Sequence, residues 1–229
     1  MRSGAPRAVN AATRALGRRV LRRPRIVYRA SGPRQAVALT FDDGPSRWTP
    51  EVARALEEHG CHGTFFLLGS ALEQRREIVT WLTEAGHELG NHLWSHSDPE
   101  RQSRSELRGE LDRTAAAIGR LAGTRPVLVR PPYCGAPHRV ARAASGGRAE
   151  LVVLRSVDPA DWSADSPDEI VERVLAAVQP GDIVCLHDGI APGNRGTETR
   201  AATAAAVARL VPELIERGLP PVTVSELLA

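Results

Sequence analysis

Strand-like and helix-like segments alternate along the chain from residue 35 to residue 224, and this alternation limits the fold more than any other feature. Short apolar stretches with strand character recur between amphipathic stretches that carry helix start signals. Ser103 and Glu106 form a capping box, and Ser166 and Glu169 repeat that spacing around a proline. Strands that alternate with helices indicate parallel βα units, and six or seven such units favour an α/β barrel over an open sheet.

The segments can be placed individually. We expect strands at residues 35–41, 63–68, 87–91, 126–130, 151–157, 182–186 and 221–224. We expect helices at residues 49–60, 72–85, 103–122, 140–144, 166–178 and 199–217. Thr49 is predicted to cap the first helix, with Pro50 at its first helical position.

Charge divides the chain into a basic arm and an acidic body. The first 41 residues contain ten Arg and no acidic residue, and since the whole chain carries +3, residues 42–229 carry −7. An acidic body disfavours a nucleic-acid partner. We predict an Arg-rich arm, helical or disordered, at residues 1–34 and a single domain at residues 35–229.

The arm has two interpretations. Val9, Leu16 and Val20 fall near one helical face while Arg14 and Arg18 lie on another, which would suit weak contact with an anionic membrane surface. A solvated charged face has the same pattern, and we favour it. Neither a membrane-spanning apolar run nor a signal-peptide core occurs in the sequence, so we predict a cytoplasmic protein.

Polar clusters follow the predicted strands, at the ends where βα barrels build active sites. In chain order they are TFDDGP, NHLWSH, RPPYCG, DPADW and LHDG. The adjacent carboxylates Asp42 and Asp43 are costly to bury without a cation or partner. His92 and His96, four residues apart, can reach one metal ion. Two His, one Asp and an open water position are typical of catalytic zinc, and the remaining Asp can serve as general base.

The other clusters supply a positively charged side chain and a candidate general acid. Arg130 presents a fixed donor fork that can hold a carboxylate in place. His187, kept protonated by a carboxylate, would be a general acid. Taken singly, each cluster has a structural interpretation, since Asp-Asp-Gly-Pro is often a turn. Five clusters in order at strand ends favour one shared site.

With these motifs the chain resembles the polysaccharide deacetylases, the NodB-homology domain of carbohydrate esterase family 4. The resemblance runs from about Val37 to Leu228 and includes the closing VTVSELL. It implies a distorted (β/α)7 barrel that binds one divalent metal ion, usually Zn2+, with Co2+ or Ni2+ as alternatives. The implied reaction is N-deacetylation of an amino sugar.

The resemblance also implies a metal site and a base. Asp43, His92 and His96 would bind the metal ion. Asp42 would activate water as general base, and Arg130 would hold and tune Asp42.

The same resemblance implies an acid and a substrate pocket. His187 would protonate the leaving amine, with Asp161 setting its orientation and pKa. The backbone N–H of Tyr133 would help to stabilise the oxyanion. Trp162 and Leu186 would line an apolar pocket for the acetyl methyl group.

The cysteines include one departure from the family pattern. Cys134 follows the aromatic of RPPY where the family usually has Gly, and Gly135 comes next. We expect this change to alter the shape of the pocket. Cys61 and Cys185 are interpreted as small buried hydrophobic residues.

The substrate stays open at this point. The missing export signal favours a cytoplasmic N-acetylated sugar, such as a chito-oligosaccharide, a nucleotide- or lipid-linked sugar or an aminoglycoside-like intermediate. The alternative is another amide, a formamide or a cyclic imide. An inactive sugar-binding homologue is disfavoured because neither Asp42 nor a metal ligand is lost.

Overall fold

The computed structural model describes residues 24–147, 149–193 and 199–229, which form an α/β fold. The strands are β1 (Arg25–Val27), β2 (Val37–Asp42), β3 (Thr64–Leu67), β4 (Glu88–Asn91), β5 (Leu128–Val129), β6 (Leu151–Val153), β7 (Ile183–His187) and β8 (Pro221–Val222). The α-helices are α1 (Thr49–Glu57), α2 (Arg76–Glu84), α3 (Arg104–Ala122), α4 (Pro137–Ala144), α5 (Pro167–Ala177), α6 (Ala201–Glu216) and α7 (Val224–Leu228). Short 3-10 turns lie at Gly69–Ala71, Glu73–Arg75, Pro132–Cys134 and Asp161–Ser163.

These strands form one parallel sheet. Their order is β1-β6-β5-β4-β3-β2-β7, and β8 pairs with β2. A bridge between Val157 and Val184 joins the chain beyond β6 to β7, so the sheet curls toward closure. The predicted distorted (β/α)7 barrel is confirmed. Because the strands are parallel, their carboxyl ends share one rim.

The alternation of side chains along the strands separates the barrel interior from the helix layer. Leu39 and Phe41 of β2 pack in the main apolar cluster, together with buried residues of α1, α5 and α6. The register pairs Phe41 with Leu186 and Asp42 with His187. Paired residues on neighbouring strands project from the same face. Leu186 therefore faces the helices, whereas Asp42 and His187 face the interior.

The helix start signals are confirmed in one case and half confirmed in another. Ser103 and Glu106 form the complete capping box at the start of α3. At the start of α5, the Ser166 hydroxyl accepts the Glu169 N–H at 3.3 Å. The Glu169 carboxylate instead accepts the N–H of Asp165 at 2.9 Å, so the second box is incomplete.

Two local predictions are wrong. Thr49 is the first residue of α1 and not its cap, because its hydroxyl accepts the N–H of Ser46 at 2.7 Å and donates to the Asp188 carboxylate. The predicted last strand ends at Val222, and Val224 begins α7.

The predicted arm is partly sheet. Strand β1 pairs with β6 within residues 25–27, so this part of the 1–34 segment joins the sheet, and the domain boundary at residue 35 stays a prediction. Residues 1–23, which carry the predicted membrane-contacting pattern, lie outside the described residues. The described part of the chain contains no helix with the length and apolar character needed to cross a bilayer.

Candidate active site

The predicted clusters meet at the carboxyl rim of the barrel. The groups are Asp42 and Asp43 at the end of β2, His92 and His96 after β4, Arg130 after β5 and His187 at the end of β7. Asp161 begins a 3-10 turn beyond β6 and reaches His187 from the side. Nine of the ten predicted site residues lie in or beside one cavity, and Leu186 does not.

Asp43, His92 and His96 form a set of ligand atoms with the spacing of a metal site. Oδ1 of Asp43 lies 3.5 Å from Nε2 of His92 and 3.3 Å from Nε2 of His96. Tetrahedral zinc bonds of about 2.0–2.1 Å would separate such atoms by about 3.3 Å. Oδ1 of Asp43 is also buried without a hydrogen-bond partner among the described residues. A cation would compensate this oxygen, so the three residues fit a metal ion.

The hydrogen bonding of His92 and the neutral ring of His96 also suit binding of a cation. Nδ1 of His92 donates to the backbone carbonyl of Arg130 at 2.8 Å, which leaves the Nε2 lone pair facing Asp43. Burial lowers the pKa of His96 to about 4, so its ring is neutral at pH 7. Burial would lower the pKa of His92 too, but the charge of Asp42 raises it. A bound cation would replace the proton on His92.

The loop that carries the two histidines is not helical, although their spacing would suit a helix. Leu93 (φ 64°) and His96 (φ 59°) adopt left-handed backbone conformations. Glu110 of α3 accepts the N–H groups of Trp94 at 2.8 Å and Ser95 at 2.9 Å. This carboxylate fixes the turn and so positions His96.

Asp42 and Arg130 form a buried ion pair. Nη1 of Arg130 lies 2.8 Å from Oδ1 of Asp42, and the same nitrogen donates to the Thr40 hydroxyl at 2.7 Å. Nη2 donates to the carbonyl of Leu154 at 2.8 Å, which locks the guanidinium in place. Burial would raise the pKa of Asp42, but the charge and hydrogen bond of Arg130, with the charges of His92 and His187, together outweigh it and lower the pKa to about 2. Asp42 is therefore a carboxylate at neutral pH.

His187 and Asp161 form the second charge pair. Oδ1 of Asp161 lies 2.7 Å from Nδ1 of His187, and Oδ2 accepts the His187 backbone N–H at 2.9 Å. The Thr203 hydroxyl of α6 donates to the same Oδ2 at 2.8 Å. Burial would lower the pKa of His187, but the charge and hydrogen bond of Asp161, with the charges of Asp43 and Asp42, together outweigh it and raise the pKa to about 9. His187 is therefore an imidazolium at neutral pH, with Nε2 free of the Asp161 contact.

These groups line one cavity of about 340 Å³. Trp162 and Tyr133 stand at its walls and are 40% and 67% exposed, respectively. The Tyr133 ring packs edge-on against His96, with ring centroids 4.8 Å apart. A larger open groove of about 760 Å³ borders this cavity, and the two share His96 and Tyr133. Trp94 and Arg101 also line the groove.

Leu186 does not reach the cavity, which corrects its predicted place in an acetyl pocket. It is fully buried in the main apolar cluster behind the sheet. Cys185, the preceding residue, lines the cavity instead because alternate residues of a strand face opposite sides. Its sulfur lies 3.4 Å from Oδ2 of Asp42, and burial raises the pKa of its thiol well above the usual value.

The departure at Cys134 also lies at the cavity. Tyr133 (φ 59°) and Cys134 (φ 51°) both adopt left-handed backbone conformations, which are costly for residues other than glycine. Cys134 thus keeps the backbone shape that a glycine would favour and adds a side chain to the wall of the cavity.

Comparison with known proteins gives the family. The polysaccharide deacetylase model matches residues 29–148. A chitooligosaccharide deacetylase from Sinorhizobium fredii is 37% identical over 200 residues, which cover 85% of this chain and 92% of the relative. The chain belongs to the polysaccharide deacetylase family. It is a hydrolase of carbon–nitrogen bonds other than peptide bonds.

Other members of the polysaccharide deacetylase family agree with this placement. A peptidoglycan N-acetylglucosamine deacetylase from Bacillus cereus is 34% identical over 194 residues, 83% of this chain and 68% of the relative. A crystal structure of a peptidoglycan N-acetylglucosamine deacetylase, in complex with 4-naphthalen-1-yl-N-oxidanyl-benzamide, superimposes with a TM-score of 0.80. It is 31% identical and covers 89% of this chain and 92% of its own.

The polysaccharide deacetylase family also contains a pseudoenzyme. The structure of a Bacillus anthracis pseudoenzyme of this family superimposes on this chain with a TM-score of 0.80 and 25% sequence identity. The match covers 90% of this chain and 69% of the pseudoenzyme chain. Fold alone therefore does not establish activity, and the side chains decide. Here the Asp43–His92–His96 set, the Asp42 carboxylate and the His187 imidazolium are all present.

Proposed function

We propose that this chain removes the acetyl group from the nitrogen of an N-acetylated amino sugar, with one bound Zn2+ ion. The observation that carries the proposal is the placement of a carboxylate and an imidazolium beside a three-residue metal set in one cavity. Relatives named as chitooligosaccharide and peptidoglycan N-acetylglucosamine deacetylases support the substrate class.

The donor set favours zinc. Two imidazole nitrogens and one carboxylate oxygen, at His92, His96 and Asp43, leave one tetrahedral position open. Co2+ and Ni2+ are alternatives, since imidazole also binds them. When bound, the ion would supply a Lewis acid that polarises the acetyl carbonyl and makes water more acidic.

Asp42 is the proposed general base. Its low pKa keeps it ionised at neutral pH, so a lone pair is available to accept a proton from the attacking water. Arg130 occupies Oδ1, so Oδ2 is the oxygen that remains to take the proton. Donor contacts of the guanidinium to Thr40, Val153 and Leu154 hold it against this carboxylate.

His187 is the proposed general acid. Nε2 would donate its proton to the sugar nitrogen as the carbon–nitrogen bond breaks. Asp161 holds Nδ1 and the backbone N–H, which fixes the ring and keeps it protonated. The base and the acid thus start in opposite charge states, as the reaction requires.

The remaining contacts would bind the acetyl group and the sugar. The backbone N–H of Tyr133 would assist at the oxyanion. Trp162 and Cys185 would contact the acetyl methyl group, with Cys134 limiting its size. The groove beyond His96 supports an oligosaccharide substrate, since it provides space for further sugar rings.

The location of the protein stays a prediction. Fractionation of cells would test the cytoplasmic location. Liposome binding with and without residues 1–23 would test the weak membrane contact of the arm.

The test is acetate release by zinc-loaded protein from a panel of chito-oligosaccharides, nucleotide sugars and pseudo-disaccharides. We expect acetate and free amine in equal amounts, lost after chelation and restored by zinc. The same protein would be assayed on formamides and cyclic imides as the alternative substrates. Hydrolysis of those compounds without acetate release from any sugar would contradict the proposal.

A further inference from the structure

A second set of metal-binding atoms lies beside the first. The ligand atoms of Asp42, Cys185 and His187 all lie within 4.8 Å of one another. None of the three belongs to the Asp43–His92–His96 set. Cys185 brings in the one atom type that the first set lacks, a thiol sulfur, and Cys185 is 3% exposed.

We propose that Asp42, Cys185 and His187 bind a second, thiolate-preferring divalent cation such as Zn2+ or Cd2+, and that this ion inhibits the enzyme. Thiolate, imidazole and carboxylate are the three ligand types that zinc uses in proteins. Soft sulfur ligands select zinc and similar ions over magnesium or calcium.

The distances suit this chemistry. Sγ of Cys185 lies 3.4 Å from Oδ2 of Asp42. Zinc bonds of about 2.3 Å to sulfur and about 2.1 Å to oxygen would separate these atoms by about 3.6 Å in a tetrahedral site. Asp161 holds Nδ1 of His187 at 2.7 Å, which leaves Nε2 for the cation. The three ligand atoms lie within 4.8 Å of one another, so small side-chain movements would bring all three onto one ion.

The surrounding charge makes the second site weaker than the first. Nη1 of Arg130 lies 2.8 Å from Oδ1 of Asp42 and 3.7 Å from Sγ of Cys185, so a cation meets a positive neighbour. The carboxylate and the thiolate carry two negative charges, and Arg130 offsets one of them. Binding releases the thiol proton of Cys185 and the extra proton of His187 to solvent. The second site therefore fills only when the metal is in excess over the first.

Occupation of this site would stop the proposed reaction. The ion takes the lone pair of Asp42 that accepts a proton and the Nε2 of His187 that donates one. The inhibition rests on the proposed function, whereas the binding does not. A measurement of binding therefore separates the failure of one from the failure of the other.

The binding test is titration of the zinc-loaded full chain with Cd2+, followed by ultraviolet absorption and metal content. A cadmium–thiolate charge-transfer band reports sulfur ligation, which the Asp43–His92–His96 set cannot give. We expect one Cd2+ per chain with this band in the wild type. In Cys185→Val the band is lost and Cd2+ affinity falls at least about 100-fold, since loss of a ligand exceeds the 10–100-fold cost of losing a ligand's hydrogen-bond partner.

Two matched variants identify the sulfur. Cys134→Val removes the other thiol of the cavity, and Cys61→Val removes a buried thiol elsewhere in the fold. Both variants should keep the band. No band in the wild type, a band that survives in Cys185→Val, or a band lost in Cys134→Val would each overturn the proposed site. Where Cys185→Val fails to fold, a band that persists in both Cys134→Val and Cys61→Val still assigns the sulfur to Cys185, because the chain has three cysteines.

The inhibition test compares acetate release across a range of excess Zn2+. Wild-type activity should fall as the second ion binds, and the activity of Cys185→Val, relative to its own rate with one zinc, should stay level over the same range. A Cd2+ band without any loss of wild-type acetate release would overturn the inhibitory role.

Discussion

At the scale of single residues, the site depends on two ionisable groups held in opposite charge states. Arg130 and the nearby histidines lower the pKa of Asp42 to about 2, while Asp161 and the nearby carboxylates raise that of His187 to about 9. Both shifts run against the effect of burial, and in each the first-named charge, Arg130 for Asp42 and Asp161 for His187, acts together with other charges of the site. Removing either partner would leave a buried charge uncompensated.

Asp161→Asn should move the alkaline limb of kcat/KM to lower pH. Asp161 stabilises the imidazolium, so the acid form of His187 persists until pH rises through about 9, and its loss should lower that limb by about 1–3 pH units. Because the pKa of His187 is higher in the folded protein than its ordinary value of 6.5, the His187–Asp161 pair stabilises the fold fully below pH 6.5. This stabilisation is lost as pH rises through about 9.

The matched control for that variant is Asp158→Asn. Asp158 is another carboxylate of the same cavity and lies 2.7 Å from Arg155. Its pH profile should match the wild type. Equal profiles for all three proteins would show that Asp161 does not set the protonation of His187.

Cys134→Gly should change which acyl groups are accepted. The backbone at φ 51° suits glycine, so the loop should keep its shape while the cavity gains the volume of the side chain. We expect a higher rate on N-propionyl relative to N-acetyl sugars. Cys61→Ala, away from the cavity, is the control, and an unchanged ratio in Cys134→Gly would refute this role.

At the scale of elements, the sequence predicts the strand ends well because their signals are local. Alternation and apolar runs locate β2, β4 and β7, and the polar clusters follow them directly. The family resemblance assigns Leu186 to the pocket by motif position alone, whereas alternation from His187 indicates Cys185. Strand β1 was missed because three residues in an Arg-rich segment give little pattern.

Residues contributed by distant helices were not predictable in the same way. Glu110 of α3 shapes the turn at Trp94 and Ser95, and Thr203 of α6 donates to Asp161. Each lies on a helix whose sequence pattern is accounted for by the apolar residues that pack against the core. Only the fold brings these side chains to the site, so no local signal marks them.

Gly189→Ala should weaken zinc binding through the backbone of Asp43. A Cβ at residue 189 would lie 2.1 Å from the Asp43 carbonyl oxygen and 2.8 Å from the Gly44 nitrogen, so the strand ends must move apart. We expect zinc affinity to fall by about tenfold or more, measured by competition with a chelator.

Gly109→Ala is the control glycine variant. Residue 109 lies within α3, and no atom lies within 4 Å of the Cβ it would gain. It should bind zinc like the wild type, and its free energy of unfolding should be higher than that of the wild type by about 0.5–1 kcal/mol. Equal zinc affinity in Gly189→Ala would show that the tight contact does not position Asp43.

At the scale of the whole molecule, the metal set ties two separate parts of the barrel together. Asp43 follows β2 and the two histidines follow β4, with β3 between them. An ion that binds only the folded chain stabilises it by mass action. The cation should therefore contribute to stability as well as to chemistry.

Removal of zinc should lower the thermal stability of the wild type. At free zinc about 100-fold above Kd, the folded state gains about 2.7 kcal/mol. We expect a lower Tm after chelation, recovery on addition of zinc, and little response in Asp43→Ala. Identical Tm values for chelated and zinc-loaded wild type would contradict the metal site.

The most direct test of the account compares wild-type protein with Asp42→Asn, measuring acetate release and bound zinc in the same samples. Asparagine keeps the shape of the side chain but cannot accept the proton, and Asp42 is not one of the three ligands of the first metal. The account predicts one zinc per chain in both proteins and a fall in acetate release of about 100-fold or more in Asp42→Asn. Acetate release at the wild-type rate by Asp42→Asn would contradict the central claim.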